Sequence, residues 1–324
     1  MYYLGIDLGG TNIKMGIVNE KGEILLKNQV YTNVESGSDN IISNIISLSK
    51  KLIKDGEDYN YIVKAVGMGV PGPVDENGVV INCINLNWSE IPIVQILKKE
   101  LMLPIFVEND GNAAAACELE AGLLRGINTG IVLTLGTGIG GGIIIDGKSY
   151  TGFHKIGAEI GHMIVGENFY NCNCGRNGCL ETFSSANALI KYVKELLSKG
   201  EKSSSLYSMC NGDFSKIHGA MIISAAKEGD KTANKAVERA AFYLARGIIN
   251  LVAVLDPEKI VIGGGMSKAG EWYLDKIKKF TEEERYFQEF PIPEIVISNF
   301  KNNIGIVGAA MIAKLNYIEK AEED

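Results

Sequence analysis

His162, Cys172, Cys174 and Cys179 form a His-x9-Cys-x-Cys-x4-Cys run, with glycines at 175 and 178. One imidazole and three thiolates make a closed tetrahedral donor set suited to structural Zn²⁺, and the glycines permit the turns that bring three sulfurs to one ion. Buried free thiols or a redox pair are the alternatives, but three clustered thiols beside a spaced histidine weigh for zinc. No donor position is left for water, which speaks against a catalytic metal. The run also fixes two carboxylates near one another, because Glu159 lies just before His162 and Glu181 just after Cys179. Rigidly held carboxylates accept hydrogen bonds from hydroxyls in fixed directions, a suitable wall for a polyol. Cys83, Cys117 and Cys210 are isolated and read as core or surface thiols.

A second kind of chemistry is carried by glycine-rich turns. Asp7-Leu8-Gly9-Gly10-Thr11-Asn12 sets a carboxylate, two glycines and two small polar side chains side by side. The glycines let backbone N–H groups approach an anion, Thr11 and Asn12 add donors, Lys14 adds a charge, and Asp7 can hold Mg²⁺ through water. A hairpin that uses Asp and Asn only for turn geometry competes with this reading. A second such turn decides between them. Gly136-Thr137-Gly138-Ile139-Gly140-Gly141-Gly142 contains G-x-G-x-x-G at Gly136, Gly138 and Gly141. A dinucleotide fingerprint must open a helix, whereas these glycines run into Ile143-Ile144-Ile145-Asp146-Gly147, which reads as strand and turn. Two phosphate-sized hairpins suggest a cleft that grips nucleotide phosphates from both sides, with Thr137 and Gly138 in the second. Gly263-Gly264-Gly265 could lie against an adenosine, and close strand–helix packing explains it equally well.

Val107-Glu108-Asn109-Asp110-Gly111-Asn112 stands between a strand and a helix. An Asp there can take a proton from a hydroxyl, and phosphoryl transfer needs little more than such a base, positioned phosphates and Mg²⁺. Asp110 or Asn112 is equally suited to cap the helix, and local spacing alone favours the cap.

The elements that must position these groups are legible from periodicity. Residues 2–8 read as a strand, Lys14 to Val18 as its return, and Glu23 to Val30 as a third strand. Ile41, Ile42, Ile45, Ile46, Leu48 and Leu52 recur at helical spacing between Asn40 and Ile53. Val63–Val70 is a buried strand, Ile93–Leu101 a short helix, Ile105–Val107 a strand, and Ala113–Leu124 a helix. Ile131–Leu135 and Ile143–Ile145 then repeat the strand, glycine turn, strand pattern of Leu4 to Val18, which hints at two related lobes. Ala186–Leu197 and Ala233–Leu255 read as helices, Lys259–Ile262 as a strand, and Gly305–Leu315 as a closing helix, with Glu319–Asp324 a frayed tail.

The 324 residues are too many for one ordinary core, so two lobes are expected, and 46% hydrophobic with 22% charged residues is a globular composition. A net charge of −7 without a Lys/Arg-rich run speaks against a nucleic-acid partner. No apolar stretch approaches the ~20 residues that span a bilayer, and the N-terminus lacks the basic region of a signal peptide. A cytoplasmic, reducing location follows, in which the six cysteines are thiols or ligands rather than disulfides.

Taken in order, these motifs closely resemble the ROK family (repressors, open reading frames, kinases), and within it the bacterial sugar kinases. The resemblance runs from Leu4 to about Ala313. It rests on Asp7 to Thr11, Gly69-Val70-Pro71-Gly72-Pro73-Val74-Asp75, Asn85-Leu86-Asn87-Trp88, Glu108-Asn109-Asp110, Leu135 to Gly142, Glu159 to His162, and Cys172 to Glu181. It implies an α/β, actin-like ATPase (ribonuclease H-like) fold, with two α/β lobes around a nucleotide and sugar cleft, and a homodimer or higher homo-oligomer. The lobes would be residues 1–112 with about 304–324, and residues 113–303. Asp110 would be the general base on a hexose 6-hydroxyl, with glucose favoured over fructose, N-acetylmannosamine or allose. Asn85, Asn109, Asp110 itself, Glu159, His162 and Glu181 would hold the sugar. Gly9, Gly10, Thr11, Asn12, Thr137 and Gly138 would meet the phosphates of ATP. Ala158 stands where the family usually has Gly, and Gly111 where it has Ala. Two rivals are weaker. A sugar-responsive repressor would need a helix-turn-helix domain of ~60 residues ahead of the first strand, and an actin-like filament or chaperone ATPase gives no reason for Glu159, His162 and Glu181.

Overall fold

The computed structural model describes residues 1–200 and 203–323. The chain begins with β1 (Tyr2–Leu8), β2 (Asn12–Asn19), β3 (Ile24–Tyr31), α1 (Ser38–Glu57) and β4 (Val63–Val70). Next come β5 (Val80–Cys83), β6 (Trp88–Ile91), α2 (Ile93–Leu101), β7 (Ile105–Asn109) and α3 (Asp110–Ala121). β8 (Gly130–Leu135), β9 (Ile139–Ile145) and β10 (Lys148–Tyr150) precede α4 (Glu181–Ser184), α5 (Ala186–Ser198), α6 (Ser205–Met209) and α7 (Gly219–Lys227). The chain closes with α8 (Lys231–Leu255), β11 (Lys259–Gly263), α9 (Glu271–Glu283), β12 (Glu294–Ile297) and α10 (Ile304–Glu323).

Two five-stranded sheets follow the same path. One runs β3-β2-β1-β4-β7, the other β10-β9-β8-β11-β12, and β5 with β6 forms a separate ribbon. The repeated strand, glycine turn, strand pattern therefore marks a repeated topology. In the first sheet β1, β2 and β3 pair antiparallel, whereas β4 runs parallel to both β1 and β7. Its register sets Asp7 beside Gly69, and Gly69 beside Glu108. The carboxyl ends of three parallel strands thus finish together, the place where open α/β sheets bind ligands.

Packing explains why these strands are apolar on both faces. Ile41, Ile45, Leu48 and Leu52 of α1 are buried in one core with Leu4, Ile6, Met15 and Met68. On α10, the backbone oxygens of Ile306 and Ala309 lie so near Gly5 and Gly67 that a Cβ at either glycine would overlap them. Glycine on two neighbouring strands lets the closing helix lie directly on the sheet.

The chain divides into two compact units. The first comprises Met1–Val132, Gly141–Ala158 and the stretch from Ser298 onward, and the second Leu133–Gly140 with Glu159–Ile297. α3 groups with the first unit because it packs along α10, whereas the sequence reading put residues from 113 onward in the second lobe.

Several boundaries differ from the sequence reading. α3 starts at Asp110 rather than Ala113. β9 takes in Gly140, Gly141 and Gly142, which shrinks the second turn to Gly136–Gly138. α10 continues to Glu323 instead of fraying from Glu319, and Lys320 lies 5.1 Å from the Phe106 ring centroid. Alanine, Glu and Lys are strong helix formers, so that end has no local reason to stop; Asp324 lies outside the described residues.

Candidate active site

In the first unit, the turn between β1 and β2 is shaped from beneath by Thr32, which is fully buried. Its hydroxyl donates to the Gly9 carbonyl at 2.6 Å and its amide to the Thr11 carbonyl at 3.0 Å, while the Gly9 amide donates to Asn12 O at 3.0 Å. The turn's carbonyls are thereby held inward, and Gly10 and Thr11 are exposed. Thr32 was not legible as part of this site, because its role depends on β3 returning beside β2. Lys14 faces Asp7 across the β1–β2 pair, with Nζ 3.1 Å from Oδ2. Its ammonium therefore acts first on Asp7, where the sequence suggested a separate charge for phosphate.

Asn85 sits in a 3-10 turn, Ile84–Leu86, between β5 and β6. A Cβ at Gly10 would lie 3.6 Å from the Asn85 carbonyl, so the first glycine turn and the Asn85 segment are neighbours. The buried thiol of Cys83 donates to the Pro71 carbonyl at 3.1 Å. Burial pushes this thiol up to about 11, with the charge of Asp110 adding to the effect. Asp110, Cys83 and Asn85 thus share one neighbourhood at the carboxyl ends of β1, β4 and β7.

The α3 terminus separates two readings that the sequence left open. The cap is Asn109, whose Oδ1 accepts the amides of Gly111 at 2.8 Å and Asn112 at 3.4 Å. Neither Asp110 nor Asn112 takes that role. Glu108 steadies the arrangement, because its Oε1 accepts the Asn109 amide at 2.9 Å and Asn112 Nδ2 at 3.1 Å. Asp110 is partly exposed in the first helical turn, where the helix dipole favours a carboxylate.

In the second unit His162 Nδ1 lies 3.6 Å from Cys172 Sγ, and Cys174 Sγ lies 3.6 Å from Cys179 Sγ. All four ligand atoms fall within 4.8 Å of one another. A tetrahedral site with Zn–S bonds of about 2.3 Å has ligand–ligand edges of about 3.8 Å, so the donor set fits zinc. Burial and the neighbouring thiols push Cys179 up to about 12 and raise Cys172 as well. Hydrogen bonds lower Cys174 against its own desolvation, and a bound divalent cation would offset the cost of the thiolate form at Cys172 and Cys179.

The loop's shape comes from residues the sequence did not single out. Asn177 Nδ2 donates to the carbonyls of Asn168 at 3.0 Å and Tyr170 at 3.3 Å, and Asn168 Nδ2 to Thr182 O at 2.7 Å. Arg239, on α8, donates to Asn168 Oδ1 at 2.9 Å while its guanidinium stacks over Tyr192 at 4.4 Å and Phe183 at 4.7 Å. No motif links Arg239 to a loop so distant in sequence; only the fold brings them together.

Glu181 opens α4 and reaches the second glycine turn. Its Oε2 accepts the Ile139 amide at 3.1 Å, and a Cβ at Gly138 would overlap that same oxygen. Its Oε1 lies 3.7 Å from Cys172 Sγ. Glu159 reaches solvent, yet the surrounding protein raises its carboxyl by desolvation, with Glu181 adding and His162 opposing. Thr137 is exposed at the tip of the turn. In the glycine triplet, Gly264 has φ 84° and a Cβ there would lie 2.5 Å from Leu135 O, so packing alone requires that glycine. Gly265 has open space beside it.

Residues 3–316 match the model of the ROK family. A glucokinase from Thermotoga maritima is 37% identical over 313 residues, 96% of this chain and 96% of the relative. A xylose repressor from Caldicellulosiruptor bescii is 32% identical over 308 residues, 94% of this chain and 76% of the repressor. Among solved structures, a ROK family glucokinase from Streptomyces griseus in complex with glucose and AMPPNP is similar with a TM-score of 0.87 at 33% identity, covering 97% of this chain and 100% of that one.

Proposed function

This chain belongs to the ROK family, and we propose that it is an ATP-dependent glucokinase acting on the 6-hydroxyl of glucose. The observation that carries the reading is the division of roles at the head of α3. Asn109 caps the helix and Glu108 orients the cap, so the capping role falls to the residues before Asp110. Asp110 then acts as general base, taking the proton of the hydroxyl as its oxygen bonds to the γ-phosphorus and the bond from that phosphorus to the β,γ-bridging oxygen breaks, releasing ADP.

Asn85, Asn109, Asp110, Glu159, His162 and Glu181 hold the sugar. Because Asn109 Oδ1 faces the helix amides, its contribution to sugar is the donor side of the amide. Amides of Gly9, Gly10, Thr11 and Asn12, with Thr137 and Gly138, receive the phosphates, and Gly264 and Gly265 lie toward the adenosine. Asp7 is the water-mediated Mg²⁺ residue, held in place by Lys14. Mg²⁺, when bound, neutralises charge that develops on the phosphoryl oxygens. Zinc at His162, Cys172, Cys174 and Cys179 is structural and braces the sugar wall. A cytoplasmic homodimer and a place in glycolysis complete the proposal.

A coupled assay over glucose, fructose, N-acetylmannosamine and allose, with ATP, ADP and polyphosphate as donors, tests it. Glucose with ATP should give the highest kcat/KM. ATP turnover that ignores added hexose would sink the reading. The match to a xylose repressor favours a second reading, a sugar-responsive regulator, which would bind sugar without turnover.

A further inference from the structure

We infer that Glu181 is a positioning residue for the turn Gly136–Gly138 as well as a sugar ligand, so that one carboxylate couples the sugar side of the site to its phosphate side. The inference rests on the proposed roles of Glu181 and of this turn, and it concerns a link that neither role contains.

The turn is anchored at both ends to the segment 181–186. At its exit, Glu181 Oε2 accepts the Ile139 amide at 3.1 Å. At its entrance, the Gly136 carbonyl accepts the Ala186 amide at 2.9 Å. Between them, Gly138 leaves room for the carboxylate only because it has no Cβ. The other oxygen of Glu181 lies against Cys172 of the cysteine loop, and Cys179 precedes Glu181 by two residues. The loop thus sets where Glu181 stands, and Glu181 sets where the turn's amides point. A hydrogen bond from an amide to an ionised carboxylate is among the stronger neutral–charged pairs. Sugar hydroxyls that donate to Glu181 share the carboxylate with the Ile139 amide, so binding at one side alters the turn at the other. By linkage, each ligand then changes the other's affinity by the same factor.

A sugar ligand alone has no effect on nucleotide binding when sugar is absent, and that separates the two roles. Calorimetric titration of a non-hydrolysable ATP analogue with Mg²⁺, without sugar, should show Glu181→Ala binding it about tenfold more weakly than wild type. Glu181→Gln keeps an oxygen acceptor for the Ile139 amide and should return nucleotide affinity to within about twofold, while its glucose affinity stays reduced. Ala186→Pro cuts the other anchor. Proline is tolerated at the first residue of a helix, and Ser185 before it has the extended backbone that proline requires (φ −79°, ψ 166°). This variant should weaken the analogue about fivefold with glucose affinity unchanged when titrated alone.

Wild-type nucleotide affinity in Glu181→Ala, or no rescue by Glu181→Gln, would overturn the inference. Should Glu181→Ala fail to fold, wild-type nucleotide affinity in Ala186→Pro would overturn it instead. A wild-type protein that binds neither the analogue nor glucose would fail at the earlier step, as a refutation of the kinase reading itself.

Discussion

Asp110 illustrates how one residue's role is decided by its neighbour. An Asp at the head of a helix is ordinarily a cap, and here the amides go to Asn109 instead. Asp110→Asn should therefore lower kcat by roughly two to four orders of magnitude while glucose affinity stays within a few-fold of wild type. Near-normal turnover, or an unfolded protein, would count against the base role. Ala158 shows a different residue-scale effect. It adopts φ 62°, in the left-handed region, where a side chain costs about 1–2 kcal/mol. Ala158→Gly should raise stability by about 0.5–1 kcal/mol, since glycine's extra unfolded-state entropy offsets part of the gain. An unchanged or lower urea midpoint would refute this.

At the scale of elements, α3 is held at both ends by carboxylates with different duties. Glu108 orients its start, and Glu118 closes its other end from a fully buried position. Glu118 Oε2 accepts the Leu123 amide at 2.8 Å, and Oε1 has no partner among the described residues. Burial raises this carboxyl above its ordinary range, with the Ser298 hydroxyl and the Leu123 amide opposing. The folded chain then binds the proton more tightly than the unfolded chain. Stability is fully present below the ordinary carboxylate range and declines as pH rises through the raised value. Glu118→Gln keeps an acceptor for Leu123 and removes the titration, so its melting temperature should exceed wild type near about pH 7 and lose that advantage near about pH 4. A pH-independent difference would contradict the argument. The β5–β6 ribbon was not anticipated, because four-residue strands are too short to show a period.

Across the whole molecule, no helix among the described residues is long and apolar enough to cross a membrane. A ligand that binds only the folded chain stabilises it by mass action. At a hundred times its Kd, glucose should contribute about 2.7 kcal/mol and raise the melting temperature accordingly. The same rise should appear in Asp110→Asn, because asparagine keeps an oxygen acceptor for the sugar hydroxyl and loses only the base, and its absence in both proteins would refute glucose as ligand. The sequence alone determined the motif order, the cluster of His162 with Cys172, Cys174 and Cys179, the repeated strand, glycine turn, strand plan and the family likeness. Each of these depends on residues near in the chain, whose spacing and backbone freedom act locally. Tertiary structure alone decided that Thr32 shapes the first glycine turn, that Lys14 answers Asp7, that Arg239 braces the cysteine loop, and that Glu181 bears on the Gly138 turn. Those contacts are settled by how strands register and helices pack, and no local period encodes them.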